Sequence, residues 1–193
     1  MSAPQLWLLA GGNGAGKSTF YRLALQPRGL PFINADRIVR DLAPTETQNT
    51  SYQAAVIAEK LRTEWLEAGR TFCFETVFSH PGKVDFVARA RALGYKVLFV
   101  YMHLESAELN LARVSQRGSS GGHGVPEDKV RSRLPRPREH ARRVVPLVDE
   151  LRLLDNSQRA TPFHELALVR QGRVVRAVNP LPDWARSLLA VSR

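Results

Sequence analysis

The residues with the clearest chemical potential stand near the start of the chain, as Gly11-Gly12-Asn13-Gly14-Ala15-Gly16-Lys17-Ser18. Glycines at these positions let consecutive backbone N–H groups turn inward around an anion. A helix beginning beside Ser18 then aims its positive end at the same charge. This is a complete G-x-x-x-x-G-K-[S/T] phosphate loop, with Thr19 directly after it. In such a loop Lys17 reaches the β- and γ-phosphates and the Ser18 hydroxyl suits Mg²⁺. The context fits as well: an apolar run, Leu6–Ala10, precedes the loop, and a helix-like stretch from Ser18 to about Leu25 follows it. A nucleoside triphosphate, ATP with Mg²⁺, is the expected ligand.

Phosphoryl transfer to a hydroxyl needs a carboxylate to take or orient the acceptor proton, and a second one for Mg²⁺ or for gripping the acceptor. Asp36 suits the first role and Glu75, followed by Thr76, suits the second. The plainer roles are a helix cap for Asp36 and a strand-end cap or ion pair for Glu75. His103 has no neighbour in sequence with metal-ligand spacing and reads as structural. Arg113 and Arg117 share a helical face leading into a glycine-rich stretch that contains His123, and Arg131, Arg133, Arg136 and Arg138 follow. A glycine-rich segment flanked by arginines resembles the lid of a small kinase, where guanidinium groups close over the polyphosphate.

The elements that must position these residues alternate between strand and helix. Pro31–Asn34 is a short apolar piece ending at Asp36. The segment from Gln48 to about Ala68 repeats apolar residues at helical spacing and stops at Gly69. Thr71–Phe74 reads as a buried strand reaching Glu75, which makes the lone Cys73 a packing residue. Ser79 is expected to cap a helix with Pro81 in its first turn, running to Leu93 and stopping at Gly94. Lys96–Tyr101 is a further apolar strand. Helices are expected from Ser106 to about Gln116, around Glu127–Arg133 and over Arg138–Val148, then a strand at Leu151–Leu154. Continuous rather than alternating apolar strands indicate a parallel sheet covered on both faces, the three-layer α/β architecture of phosphate-loop NTPases. From Thr161 the pattern changes to a hairpin, Phe163–Arg170 and Arg173–Val178, and a short helix, Pro182–Leu189. Residues 1–158 are thus expected to form the kinase-like domain, with 159–193 an appendage packed on it.

Gly11–Ser18, Ile33-Asn34-Ala35-Asp36-Arg37, Glu75-Thr76, and Arg113, Arg117 with Gly121-Gly122-His123-Gly124-Val125-Pro126 together resemble the zeta-toxin-like kinases. The likeness is greatest to the compact bacterial branch labelled predicted ABC-type ATPases, and it spans roughly Leu6 to Asn156. It implies a phosphate-loop kinase fold and transfer of the ATP γ-phosphate to a hydroxyl of a small molecule. In characterised toxins that acceptor is UDP-N-acetylglucosamine. It implies Asp36 as the base, Lys17 and Ser18 on ATP–Mg²⁺, Glu75 in acceptor binding, and Arg113 or Arg117 on the phosphates. It also suggests an antitoxin protein as partner. This sequence departs from the family at His123, where the toxins carry arginine just before the lid's Ala-Thr-Pro. A neutral imidazole does not replace a permanent cation, so either Arg131 or Arg133 supplies that charge or the activity differs.

Composition bounds the alternatives. The 193 residues suit one domain. No apolar run approaches the ~20 residues that cross a bilayer, and there is no secretory leader pattern, so a cytoplasmic protein without membrane contact is expected. The net charge of +10 attracts anions and, with the arginines from Arg131 to Arg143, would also suit a nucleic-acid-binding NTPase. Aromatic residues are 8% and fall mostly in strands, which leaves no stacking platform for single strands. Nucleic acid is therefore not the expected partner. Within the kinase reading, another metabolite or an antibiotic is the alternative acceptor.

Overall fold

Each apolar run is hydrophobic on both of its faces, so it forms a stable strand only with a packed layer on either side. The computed structural model describes residues 2–42, 48–105 and 135–190, with side chains over 2–39, 52–105 and 138–190. Five runs become strands β1 (Gln5–Gly11), β2 (Phe32–Ile33), β3 (Phe72–Thr76), β4 (Lys96–His103) and β5 (Glu150–Asp155). A hairpin adds β6 (His164–Arg170) and β7 (Arg173–Ala177). The sheet order is β2-β3-β1-β4-β5-β6-β7. The first five strands pair in parallel and the hairpin joins antiparallel at β5. All five parallel strands therefore end on one edge. The order reverses on either side of β1, so a crevice opens where β1 runs into the phosphate loop.

Alternate residues of each strand feed two cores. On one face Leu6, Leu8, Phe72, Phe74, Val97, Phe99, Leu151 and Leu153 pack with buried residues of the helices below. These helices are α3 (Gln48–Glu67), α4 (Gly82–Ala92), α5 (Pro135–Val144) and α6 (Asp183–Leu189), with α2 (Ala35–Leu42) beside α3. On the other face Trp7, Leu9, Cys73, Leu98, Val100 and Met102 pack against Ala15, Tyr21 and Leu25. Phe72, Phe74 and Phe99 are at most 1% exposed, each worth about 1.5–3 kcal/mol relative to an exposed ring. Among the described residues no helix is long and apolar enough to cross a membrane.

Several boundaries differ from the sequence expectation for local reasons. The helix after the phosphate loop is not uniform: α1 (Lys17–Phe20) runs into a π turn at Tyr21–Leu25 and a 3₁₀ turn at Gln26–Arg28. Tyr21 fixes this bend by stacking on Phe32 and donating its hydroxyl to the Leu30 carbonyl at 2.7 Å. Helix α4 starts later than expected, with Pro81 as its N-cap residue. The Gly82 N–H donates to His80 Nδ1 at 3.1 Å, so a ring nitrogen stands where the Ser79 hydroxyl was expected. The helix expected over Arg138–Val148 begins at Pro135 and gives way to a 3₁₀ turn at Val145–Leu147. At the end of α3, Gly69 turns with φ 65°, its N–H and that of Arg70 donate to the Leu66 and Trp65 carbonyls, and the Tyr95 hydroxyl lies 2.9–3.1 Å from the Trp65, Leu66 and Arg70 carbonyls.

The hairpin continues the sheet. Gln171 and Gly172 both have positive φ, the two-residue turn that matches strand twist. Charge pairs tie it in place. Glu150 bonds Arg152 at 2.8 Å and Arg170 at 2.9 Å, and Glu165 bonds Arg152 at 3.2 Å and Arg176 at 2.8 Å. Burial pushes the Glu150 carboxyl up, but its two arginine partners outweigh this and hold it below the ordinary value. Arg89 pairs with Glu67 and Arg91 with Asp149 in the same way. Each of these arginines is paired with a carboxylate.

Candidate nucleotide and phosphoryl-transfer site

The phosphate loop leaves β1 through Gly11 at φ 147°, and Gly14 and Gly16 follow at φ 80° and 95°. These conformations disfavour any residue with a Cβ. Space excludes one too. A Cβ on Gly11 would lie 2.3 Å from the Met102 carbonyl oxygen of β4, and one on Gly16 would lie 2.5 Å from Asn156 Nδ2. The loop thus sits against the ends of β4 and β5 with no room for a side chain at Gly11 or Gly16. Ala15 is fully buried beneath it, and its N–H donates to the Gly12 carbonyl at 3.2 Å.

Lys17 is the first residue of α1 and is only 8% exposed. Its ammonium arches back over the loop and donates to the Gly11 and Gly12 carbonyls at 3.0 and 2.9 Å. The cation is held at the mouth of the loop, where an incoming polyphosphate would meet it. Ser18 Oγ donates to Glu75 Oε2 at 2.7 Å, linking the helix after β1 to the end of β3. A hydroxyl and a carboxylate side by side form a hard oxygen pair of the kind Mg²⁺ accepts, so the residues present fit that ion. Thr76 Oγ1 accepts from the Phe78 N–H at 3.0 Å, shaping the turn after Glu75.

Asp36 lies exposed in the first turn of α2, at the same sheet edge. The capping role belongs to its neighbour. Asn34, 4% exposed, accepts the Arg37 N–H on Oδ1 at 3.1 Å, and its carbonyl accepts the Ile38 N–H. The Asp36 carboxylate is therefore not the cap of this helix. Asn13 and Thr19 belong to the same loop and helix start. Arg113, Arg117, His123, Arg131 and Arg133, with the expected lid and the expected helices around it, lie outside the described residues.

Two further groups were not assigned roles from sequence. Asn156, directly after β5, donates from Nδ2 to the Ala15 carbonyl at 2.9 Å, and Phe163 packs its ring beside Gly16. The rule that ligands gather beyond the carboxyl ends of parallel strands, applied to β5, points to Asn156. His103, at the end of β4, is stacked on Trp184 with ring centroids 4.3 Å apart. Burial, and then the positive Arg138, push its pKa down to about 4 against the pull of Asp155, so it is neutral and structural at neutral pH. Burial also raises the Cys73 thiol, with Glu75 adding to the shift, which keeps it unreactive.

His103 gives a pH signature. The unfolded chain takes up a proton on this side chain below about pH 6.5, whereas the folded protein does not until about pH 4. Stability from this group is complete above the first value and is lost as pH falls between the two. Thermal midpoints of wild type and His103→Gln should thus converge on acidification, the wild type losing more over that window. Parallel midpoint curves would show that His103 is not held neutral by its surroundings.

Residues 6–143 match the profile of the AAA_33 family, described as an AAA domain. The chain belongs to that family. A relative of this AAA_33 chain, an uncharacterised protein of Haemophilus influenzae, is 29% identical over 140 residues, covering 69% of this chain and 99% of its own length. Among solved structures, the AvrRxo1-ORF1:ORF2 complex with ATP superposes at a TM-score of 0.70 with 18% identity, over 89% of this chain and 60% of that one. The chain thus spans about three fifths of that protein. The PezAT chromosomal toxin–antitoxin system of Streptococcus pneumoniae superposes at 0.64 with 16% identity, over 98% of this chain and 78% of that one. At these identities the likeness establishes the fold: a mostly parallel α/β sheet of the phosphate-loop, kinase-like kind. The AAA_33 match ends at residue 143, before Asn156 and Phe163.

Proposed function

We propose that this AAA_33 chain is an ATP-dependent kinase that transfers the γ-phosphate to a hydroxyl of a small molecule, with a nucleotide sugar such as UDP-N-acetylglucosamine as the leading acceptor. The observation that carries the reading is the Ser18–Glu75 contact at 2.7 Å beside the Lys17 ammonium, at the mouth of a loop that requires glycine at positions 11 and 16. Mg²⁺, when bound, neutralises phosphate charge, and Ser18 with Glu75 would hold it. This contact favours a metal-side role for Glu75 over a grip on the acceptor. Lys17 moves from the loop carbonyls to the phosphates. Asp36 takes the acceptor hydroxyl proton as the new O–P bond forms and the bond to the bridging oxygen breaks, leaving ADP. The acceptor binds at the sheet edge between Asp36 and the loop, and arginines of segment 113–133 neutralise the transferring group. An antitoxin protein is part of this reading, since AvrRxo1-ORF1 and PezAT are both two-protein systems.

Incubation with ATP, Mg²⁺ and a small-metabolite extract, followed by mass spectrometry, tests the reading. A hydroxylated metabolite that gains one phosphoryl group is the expected product, with UDP-N-acetylglucosamine assayed in parallel and an oligonucleotide as the competing acceptor. Phosphate appearing on the oligonucleotide alone would contradict a small-molecule kinase.

A further inference from the structure

Asn156 is tied into three elements at once. Its backbone N–H donates to the His103 carbonyl at 3.0 Å, so it is fixed to the end of β4. Its side-chain amide donates to the Ala15 carbonyl at 2.9 Å and accepts the Phe163 N–H at 3.2 Å. The residue is 7% exposed, and the bond to Ala15 spans 141 positions of sequence. Phe163 closes the other side. Its backbone takes φ 56°, a left-handed conformation uncommon for a bulky residue, in a loop whose N–H is held by Asn156. Its ring meets Phe20 edge-on with centroids 5.6 Å apart, and it lies 3.0 Å from where a Cβ on Gly16 would be. The two side chains thus close over Ala15 and Gly16 from behind.

A phosphate loop works only if its N–H groups face the anion and its carbonyls face away, because an inward carbonyl presents negative charge to the ligand. Ala15 lies between Gly14 and Gly16, two of the loop's three positive-φ glycines, where the peptide units are freest to rotate. We propose that Asn156 is a positioning residue of the phosphate loop: its amide holds the Ala15 carbonyl turned away from the anion, with Phe163 packed on Gly16 as the backing wall. The segment from 156 to 163, and the hairpin it introduces, are on this account a working part of the nucleotide site, although they lie beyond the family match. The proposal rests on the reading that the loop binds nucleotide.

The test uses the full chain and a non-hydrolysable ATP analogue with Mg²⁺. Asn156→Asp keeps the size of the side chain and the acceptor for the Phe163 N–H, but sets an oxygen against the Ala15 carbonyl. Its affinity for the analogue should fall about tenfold or more, the scale of one lost buried hydrogen bond plus an unsatisfied carbonyl. Amide exchange should accelerate across residues 12–18 while β1 and β4 stay protected. A purely structural role would lower the thermal midpoint and leave the affinity of the folded protein unchanged, and that result overturns the proposal. Should N156D not fold, Phe163→Leu decides the matter: it keeps the Asn156 amide bonds and loosens the wall, so binding should weaken severalfold, and wild-type affinity overturns it. Failure of the unaltered chain to bind the analogue overturns the nucleotide reading itself, and the proposal with it.

Discussion

Lys17→Ala is expected to remove ATP binding and turnover together. The ammonium is the one cation fixed at the loop mouth among the described residues, and the mutation deletes it without adding bulk. Its stability effect is smaller. The Gly11 and Gly12 carbonyls lose a charged donor, a cost on the order of 1–3 kcal/mol, partly offset because a side chain 8% exposed no longer has to keep its charge desolvated. Calorimetric titration with ATP–Mg²⁺, set beside a thermal melt of the same sample, separates the two. A folded mutant that binds ATP as tightly as wild type would show that the loop is not the phosphate site.

Asp36→Asn should lower turnover by ~10²-fold or more with ATP affinity nearly unchanged, the pattern of a group that acts on the acceptor in the transition state. Because Asn34 caps α2, the change removes only a carboxylate from the first turn, where its interaction with the helix dipole is worth about 0.3–1 kcal/mol. The melt should barely move. A mutant that retains most of its turnover, measured as phosphorylated acceptor per unit time, would remove Asp36 from the chemistry.

The phosphate loop was legible because its chemistry is local: glycines, lysine and serine stand at fixed spacing in one stretch, and the preceding strand follows from a continuous apolar run. The same held for β4, where the run from Lys96 allows no other element, and for α3, whose end is punctuated by Gly69 at φ 65°. What was not legible depends on residues far apart in the chain. Glu75 is 57 positions from Ser18, and nothing in either neighbourhood says that they touch. Asn156 looks like an ordinary strand-end residue until the fold brings β5 behind the loop. The start of α4 failed for a different reason, since Ser79 is the better cap by type, yet the proline ring fixes the backbone one turn position later and His80 takes the N–H. The π turn at Tyr21–Leu25 likewise reflects packing of Tyr21 on Phe32 that helix propensity does not encode.

The central claim is that this site moves a phosphoryl group from ATP to a small hydroxylated acceptor. It is tested most directly by mixing the protein with ATP, Mg²⁺ and UDP-N-acetylglucosamine and resolving the products by mass spectrometry, with K17A as the blank. The account predicts ADP and a nucleotide sugar heavier by one phosphoryl group, in equal amounts, and neither with the blank. ATP converted to ADP and free phosphate at the same rate with every acceptor offered, metabolite extract included, would contradict it.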